Sequence, residues 1–164
     1  MTQCYCCSSL PFEQCCAPLL NNTQKATTPE ALMRSRYSAF CTGNVKYLLH
    51  SSHSDYLHAE NYQNNHIKAV KTLKETMQHT QWLGLQILAA TDNTVEFVAF
   101  FHDTHQGEPL PRAVPHQLHE QSRFIYEYER WLYIDGDIKA PIKLGRNSNC
   151  YCGSGKKLKK CCSH

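Results

Sequence analysis

An α+β fold is predicted for the middle of this 164-residue chain, with a small cysteine-bearing appendage at each end. Three observations predict it. Apolar residues recur at helical spacing between about residues 28 and 78, and alternate in strand fashion between about 82 and 134. Nine of the ten cysteines fall within the first 16 or last 15 residues. Helices first and an antiparallel sheet afterwards is the order of an α+β domain rather than of alternating βα units.

Thr28-Pro29-Glu30 opens the first helix with an N-cap hydroxyl, a proline at the first position and an early acid. Leu32, Met33, Tyr37 and Phe40 then recur on one face, and Gly43 offers a stop. A short second helix follows through Val45, Leu48 and Leu49. A third spans Asn65 to Gln78, with Ile67, Val70, Leu73 and Met77 sharing a face. The period then changes. Trp82 to Ala90 and Thr94 to His102 read as strands joined at an Asp92-Asn93 turn. Asp103 to Pro115 carries Gly and Pro and reads as a long loop. Strands resume at His116 to Tyr128 and at Trp131 to Ile134, and the latter ends at an Asp135-Gly136 turn.

The length suits one ordinary domain with small additions. Hydrophobic residues make up 41%, enough for a core, yet no apolar run approaches the roughly 18 residues of a membrane span. The first 25 residues lack a basic and an apolar signal region, so a cytoplasmic protein is expected. The net charge of +3 is unevenly placed. From Lys139 onward there are seven Lys or Arg and no acid, so the rest holds 17 − 7 = 10 basic against 14 acidic residues. A mildly acidic body thus ends in a basic tail suited to an anionic partner.

The two ends repeat one another. Cys4, Cys6, Cys15 and Cys16 follow C-x-C-x8-C-C, and so do Cys150, Cys152, Cys161 and Cys162. In a reducing compartment clustered cysteines bind metal more often than they form disulfides, although paired disulfide loops satisfy the same count. Zinc takes four tetrahedral ligands, and a site closed by four protein ligands is structural. A C-x-C turn can aim two sulfurs at one ion, and eight residues suffice to return with the second pair. Gly153 and Gly155 ease the C-terminal turn, where Cys7 and Ser9 stand at the corresponding N-terminal positions. Cys7 is also a competing ligand, and His164 the nearest histidine to the second site. Two zinc ions per chain are expected. Four thiolates around Zn²⁺ leave about −2 formal charge, which the C-terminal lysines would offset.

Arg146-Asn147-x-x-Cys150-x-Cys152-Gly153-Ser154-Gly155-Lys156-Lys157-x-Lys159-Lys160-Cys161-Cys162 resembles the SEC-C motif, which is similar to the zinc-binding tail of the translocase motor SecA. That tail contacts the chaperone SecB and the ribosome. A SEC-C-like knuckle at both termini around a small domain resembles the YchJ-like family of bacterial proteins. Leu32-Met33-Arg34-Ser35-Arg36-Tyr37-Ser38-Ala39-Phe40 and Trp131-Leu132-Tyr133-Ile134-Asp135-Gly136 also look like that family. The resemblance implies an NTF2-like cone over residues 27–140, between knuckles at 1–22 and 144–164.

For function, the resemblance and the basic tail lead to a non-enzymatic adaptor. Arg146, Lys156, Lys157, Lys159 and Lys160 would meet an acidic partner, either ribosomal RNA or a chaperone. The N-terminal knuckle has Leu10, Pro11, Phe12 and Glu13 where the other has lysines, and suits docking onto its own domain or an apolar partner. The alternative is an enzyme acting through the pocket of the cone, for which a His and a carboxylate must meet. The candidates are His102, Asp103, His105, His116, His119 and Glu120, none of which is assigned a catalytic role. Redox sensing through the cysteines is a third reading. Tyr126, Tyr128, Trp131 and Tyr133 fit a binding face or a core, and Cys41 a buried small hydrophobe.

Overall fold

In the computed structural model, which describes residues 2–58, 66–107, 109 and 113–162, five helices precede four strands. The helices are α1 (Ala17–Leu20), α2 (Pro29–Thr42), α3 (Val45–His50), α4 (Ser54–His58) and α5 (His66–His79). The strands are β1 (Thr80–Ala90), β2 (Thr94–Asp103), β3 (His116–Glu127) and β4 (Arg130–Ile138). Short 3-10 turns at Phe12–Gln14 and Leu158–Lys160 lie in the terminal segments.

Helix α2 starts and stops as its sequence demands. Thr28 Oγ1 accepts from Ala31 N at 3.1 Å, Pro29 opens the first turn, and Gly43 closes it in the left-handed conformation at φ 70°. Asn44 caps α3 by accepting from Tyr47 N at 3.0 Å. In α5, Leu73 and Met77 pack on the core and Ala69 is buried, but Ile67 is 76% exposed. The expected inward face therefore keeps Val70, Leu73 and Met77 but loses Ile67, and Ala69 is buried in its place at the N-terminal end. Asn65 and His164 lie outside the described residues, as do 108 and 110–112 of the expected loop.

The strands form an antiparallel meander in the order β1-β2-β3-β4. Register shifts at Trp82/Gly84, Ile87/Ala89 and Arg123/Phe124 bend it. Strand β4 does not end where the sequence suggests. Asp135 and Gly136 lie inside it, opposite Arg123 and Ser122. Arg123 bridges Asp135 and Asp137 across the pair, so the acids serve a cross-strand ion network rather than a turn. Gly136 is needed for space, because a Cβ there would meet the Glu120 carboxylate. The β3–β4 turn falls at Tyr128 and Glu129, both at positive φ (52° and 56°), a conformation usually left to Gly or Asn.

Alternation on β2 divides the core. Val95, Phe97 and Ala99 face the helices, and Val98 and Phe100 face the opposite way. Against the first face pack α2, α3, α5 and the N-terminal knuckle. Against the second pack Ile142, Leu144 and the C-terminal knuckle through Tyr151, whose ring stacks on Phe100 at 5.4 Å. No helix among the described residues is long and apolar enough to cross a membrane.

Candidate metal centres and the central cavity

Each terminal segment brings its four cysteines together. The Sγ atoms of Cys4, Cys6, Cys15 and Cys16 lie within 4.8 Å of one another, as do those of Cys150, Cys152, Cys161 and Cys162. All ten cysteines are free thiols. The sulfur separations test the fit to a metal. A tetrahedron with metal–sulfur bonds of about 2.3 Å has edges of about 3.8 Å. Cys6–Cys15 is 3.6 Å, Cys15–Cys16 3.9 Å, Cys152–Cys161 3.5 Å and Cys161–Cys162 3.9 Å. These are tetrahedral edges, and far longer than the roughly 2.05 Å of a disulfide. Each cluster could hold a metal ion.

The protonation of the thiols leads the same way. Hydrogen bonds from the Cys16 and Cys6 thiols hold Cys4 far below the ordinary thiol range, and the same contact with Cys4 pushes Cys16 far above it. Burial pushes Cys15 up to about 11. In the second cluster burial raises Cys150 and Cys162. Cys152 is lowered to about 6, because hydrogen bonds from Ser154 and neighbouring thiols outweigh its burial. Packed this closely, one sulfur ionises at the expense of the next, and only a cation lets all four carry charge.

The two knuckles are built bond for bond alike. Cys4 N donates to Leu10 O and Cys150 N to Lys156 O, both at 2.8 Å. Cys7 N donates to Cys4 O at 3.2 Å and Gly153 N to Cys150 O at 3.3 Å. The Ser8 hydroxyl lies 3.2 Å from Cys15 Sγ, and that of Ser154 lies 3.3 Å from Cys161 Sγ. The left-handed positions also coincide. Gly153 and Gly155 have φ of 74° and 71°, and Cys7 and Ser9 are forced to 59° and 65°. The N-terminal copy therefore carries backbone strain that glycine spares the other.

Their settings differ. Cys4, Cys6 and Cys16 belong to the main core, Cys4 Sγ lies 3.7 Å from Ser38 Oγ in α2, and Arg34 of α2 donates to Cys6 O at 2.9 Å. Glu30 holds Arg34 in place at 2.8 Å, so a cation stands beside the buried sulfurs. Docking of this knuckle onto its own domain is thus built from its cysteines and Phe12, whereas Leu10 stays 52% exposed. The C-terminal knuckle lies on the outer face of the sheet. Gly84 of β1 makes room for it, because a Cβ there would collide with the Tyr151 carbonyl. Lys143, Arg146, Lys156, Lys157 and Lys160 are exposed and Lys159 half-buried. Among the described residues none of these six takes part in an ion pair, whereas Lys25, Arg34, Lys71, Arg123 and Lys139 all do.

The knuckles also meet. Cys7 sits between them, accepting from Leu85 N at 3.4 Å and lying 3.8 Å from Cys152 O. A Cβ on Gly153 would come within 2.6 Å of Cys7 Cβ. Cys7 is therefore a wedge at the junction, outside both sulfur clusters, and burial raises its thiol. Cys41 packs beside the core, where burial pushes it up to about 12.

The polar candidates of the sheet do not meet in the central cavity, and the one His–carboxylate pair among them, His105 with Asp103, lies at the surface. His119 lies on the outer face, bonded to Glu96 at 2.8 Å and to Ala140 O at 2.6 Å, while the adjacent Glu120 lines a cavity on the inner face. His105 pairs with Asp103 at 2.6 Å and stacks on His79 at the surface. His116 stacks on Phe101, and His102 stands on β2 beside Asp103. Of the aromatic set, Tyr126 and Tyr128 are exposed, whereas Trp131 and Tyr133 pack against the core.

The cavity lies between α2 and the sheet and has a volume of about 210 Å³. Arg36, which sequence reasoning did not single out chemically, is buried in its wall. The signal was present, since Arg36 interrupts the apolar stripe Leu32, Met33, Tyr37 and Phe40 at the one position where a cation is out of place.

Comparison with known proteins returns consistent matches. Residues 28–136 match the family described as YchJ, middle NTF2-like domain, and residues 146–163 match the SEC-C motif. A UPF0225 protein of Serratia proteamaculans is 41% identical over 165 residues, covering 97% of this chain and 96% of its own. A solved SEC-C motif containing protein from Rhodopseudomonas palustris is 28% identical and superposes with a TM-score of 0.67, over 85% of this chain and 100% of its own. A second, from Psychrobacter arcticus, is 24% identical with a TM-score of 0.59 over 99% and 96%, and shares the fold.

Proposed function

Since the chain belongs to the UPF0225 family of YchJ-like proteins with a SEC-C motif, we propose that it is a zinc-holding adaptor whose C-terminal knuckle docks on an acidic partner. Zinc suits both clusters, because four thiolates at tetrahedral spacing with no position left for water is the donor set of a structural zinc site. The metal would tie each short segment into a fold that it could not hold through its own core. In the N-terminal knuckle Cys4, Cys6, Cys15 and Cys16 would hold it. In the C-terminal one Cys150, Cys152, Cys161 and Cys162 would do so.

The observation that carries the adaptor reading is the row of unpaired cations. Arg146, Lys156, Lys157, Lys159 and Lys160 crowd one small knuckle, and among the described residues none of them has the carboxylate partner that Lys25, Arg34, Lys71, Arg123 and Lys139 possess. Such a patch gains affinity by releasing counterions from a polyanion, and about five contacts give a steep salt dependence. Ribosomal RNA is the first candidate and an acidic chaperone face the second.

Co-sedimentation of the zinc-loaded protein with ribosomes tests this. Association at 50 mM salt that falls at least tenfold by 200 mM, and is lost when Lys156, Lys157, Lys159 and Lys160 become Gln, is the expected result. No association at low salt, with either ribosomes or acidic chaperones, would refute it.

A further inference from the structure

The cavity between α2 and the sheet holds unmatched hydrogen-bonding groups of both kinds. Arg36 is 7% exposed, and a single nitrogen, Nη1, makes all its hydrogen bonds. It donates to Leu48 O at 3.1 Å, Ser51 Oγ at 2.7 Å and Ser52 Oγ at 3.1 Å. Among the described residues its Nε and Nη2 groups have no acceptor and no carboxylate stands within ion-pair distance. Its guanidinium lies 4.5 Å from the centre of the Tyr133 ring. Burying a cation against neutral acceptors alone is costly, and burial here works against its charge. A second donor in the wall, Trp82 Nε1, is fully buried with no partner. A third group has the opposite need. Glu120 Oε1 accepts from Ser122 Oγ at 2.6 Å and Tyr133 OH at 3.1 Å, and Oε2 takes no bond from the described residues.

Buried polar groups in native proteins are almost always satisfied, so the unpartnered Trp82 Nε1, beside the unbonded atoms of the buried Arg36 and the half-buried Glu120 around one space of about 210 Å³, marks a ligand site. From this we infer that the cavity binds a small carboxylic acid with a neighbouring donor group and an apolar body. Its carboxylate accepts from Arg36, for which a planar bidentate acceptor is the natural partner. Its amino or hydroxyl group donates to Glu120, an oxygen of the ligand accepts from Trp82 Nε1, and its apolar body lies against Phe40 and Phe97. The purely structural role for Arg36, fastening the end of α3 through Leu48, Ser51 and Ser52, accounts for Nη1. It leaves Nε, Nη2, Trp82 Nε1 and Glu120 Oε2 unexplained. Amino acids and hydroxy acids share this chemistry, and the inference does not depend on any partner of the knuckles.

Four probes on the full-length zinc-loaded protein test it, namely phenylalanine, phenyllactate, phenylacetate without the donor and phenethylamine without the carboxylate. Titration is followed by the two indole N–H signals in NMR, that of Trp82 being assigned with Trp82→Phe. Saturable binding of phenylalanine or phenyllactate with a moving Trp82 signal is expected, and whichever binds identifies the donor. Phenylacetate and phenethylamine should each bind about tenfold more weakly, the worth of one hydrogen bond to a charged group. Glu120→Gln should erase the advantage over phenylacetate, and Ala99→Leu, which fills the cavity floor, should abolish binding. If Ala99→Leu does not fold, Glu120→Gln alone decides. No saturable shift with either acid at about 10 mM would overturn the inference. So would binding that leaves the Trp82 signal still or is unaffected by Glu120→Gln.

Discussion

The N-terminal and C-terminal knuckles share every backbone hydrogen bond that defines the motif, yet the fold uses them differently. Cys6 and Cys16 are 0% and 1% exposed within the main core, where α2 offers Ser38 and Arg34 to the cluster. Cys161 and Cys162 are half-buried on the far side of the sheet, and their knuckle turns lysines outward. The comparison teaches that cysteine spacing specifies the knuckle, while the residues between the cysteines decide what it touches. Phe12 in the first copy docks on the main core, and Leu158 at the matching position of the second docks on the outer face of the sheet, where Lys156, Lys157 and Lys160 add exposed charge.

The largest expected effect breaks this contrast open. Cys16→Ser should remove a core side chain and the metal together, costing several kcal/mol, a large part of a typical domain's stability. Cys162→Ser should leave the central domain folded. Thermal unfolding followed by circular dichroism separates the two, and equal losses would show that the knuckles are equally integral. Metal removal should follow the same order. Titration with a chelator should strip the C-terminal site first, with Tyr151 fluorescence or NMR signals near Phe100 reporting its release before the core unfolds.

A smaller effect comes from the seat of the C-terminal knuckle. Gly84→Ala drives a methyl group into the Tyr151 carbonyl and should cost about 1–3 kcal/mol, the usual toll of overpacking. Differential scanning calorimetry checks it, and a neutral result would mean the knuckle does not rest on β1. The smallest effect exploits the shared left-handed positions. Ser9→Gly should stabilise the protein by about 1 kcal/mol, and Gly155→Ser should destabilise it by a similar amount.

Much of this was legible in the sequence, for identifiable reasons. The paired cysteine spacing, the Thr28 cap and the Gly43 stop are local signals with one physical meaning each, and all three appear in the structure. The extent of β4 was not legible, because Asp135-Gly136 looks like a turn until Arg123 is seen across from it. The Tyr128-Glu129 turn uses residues that seldom adopt positive φ, so composition offers no clue. The division of His119 and Glu120 between opposite faces follows from strand alternation, but which face is the inside depends on long-range packing. The meeting of the two ends at Cys7 and Gly153 joins residues at opposite termini, a contact that no local pattern encodes.

The most direct measurement is the zinc content per chain, by elemental analysis, of freshly reduced wild-type protein, Cys16→Ser and Cys150→Ser. Two zinc ions in the wild type, falling to one in Cys150→Ser, with the remaining ion held by Cys4, Cys6, Cys15 and Cys16, is the expected result. Wild-type protein without zinc, or a Cys150→Ser variant that still holds two ions, would contradict the paired-site reading.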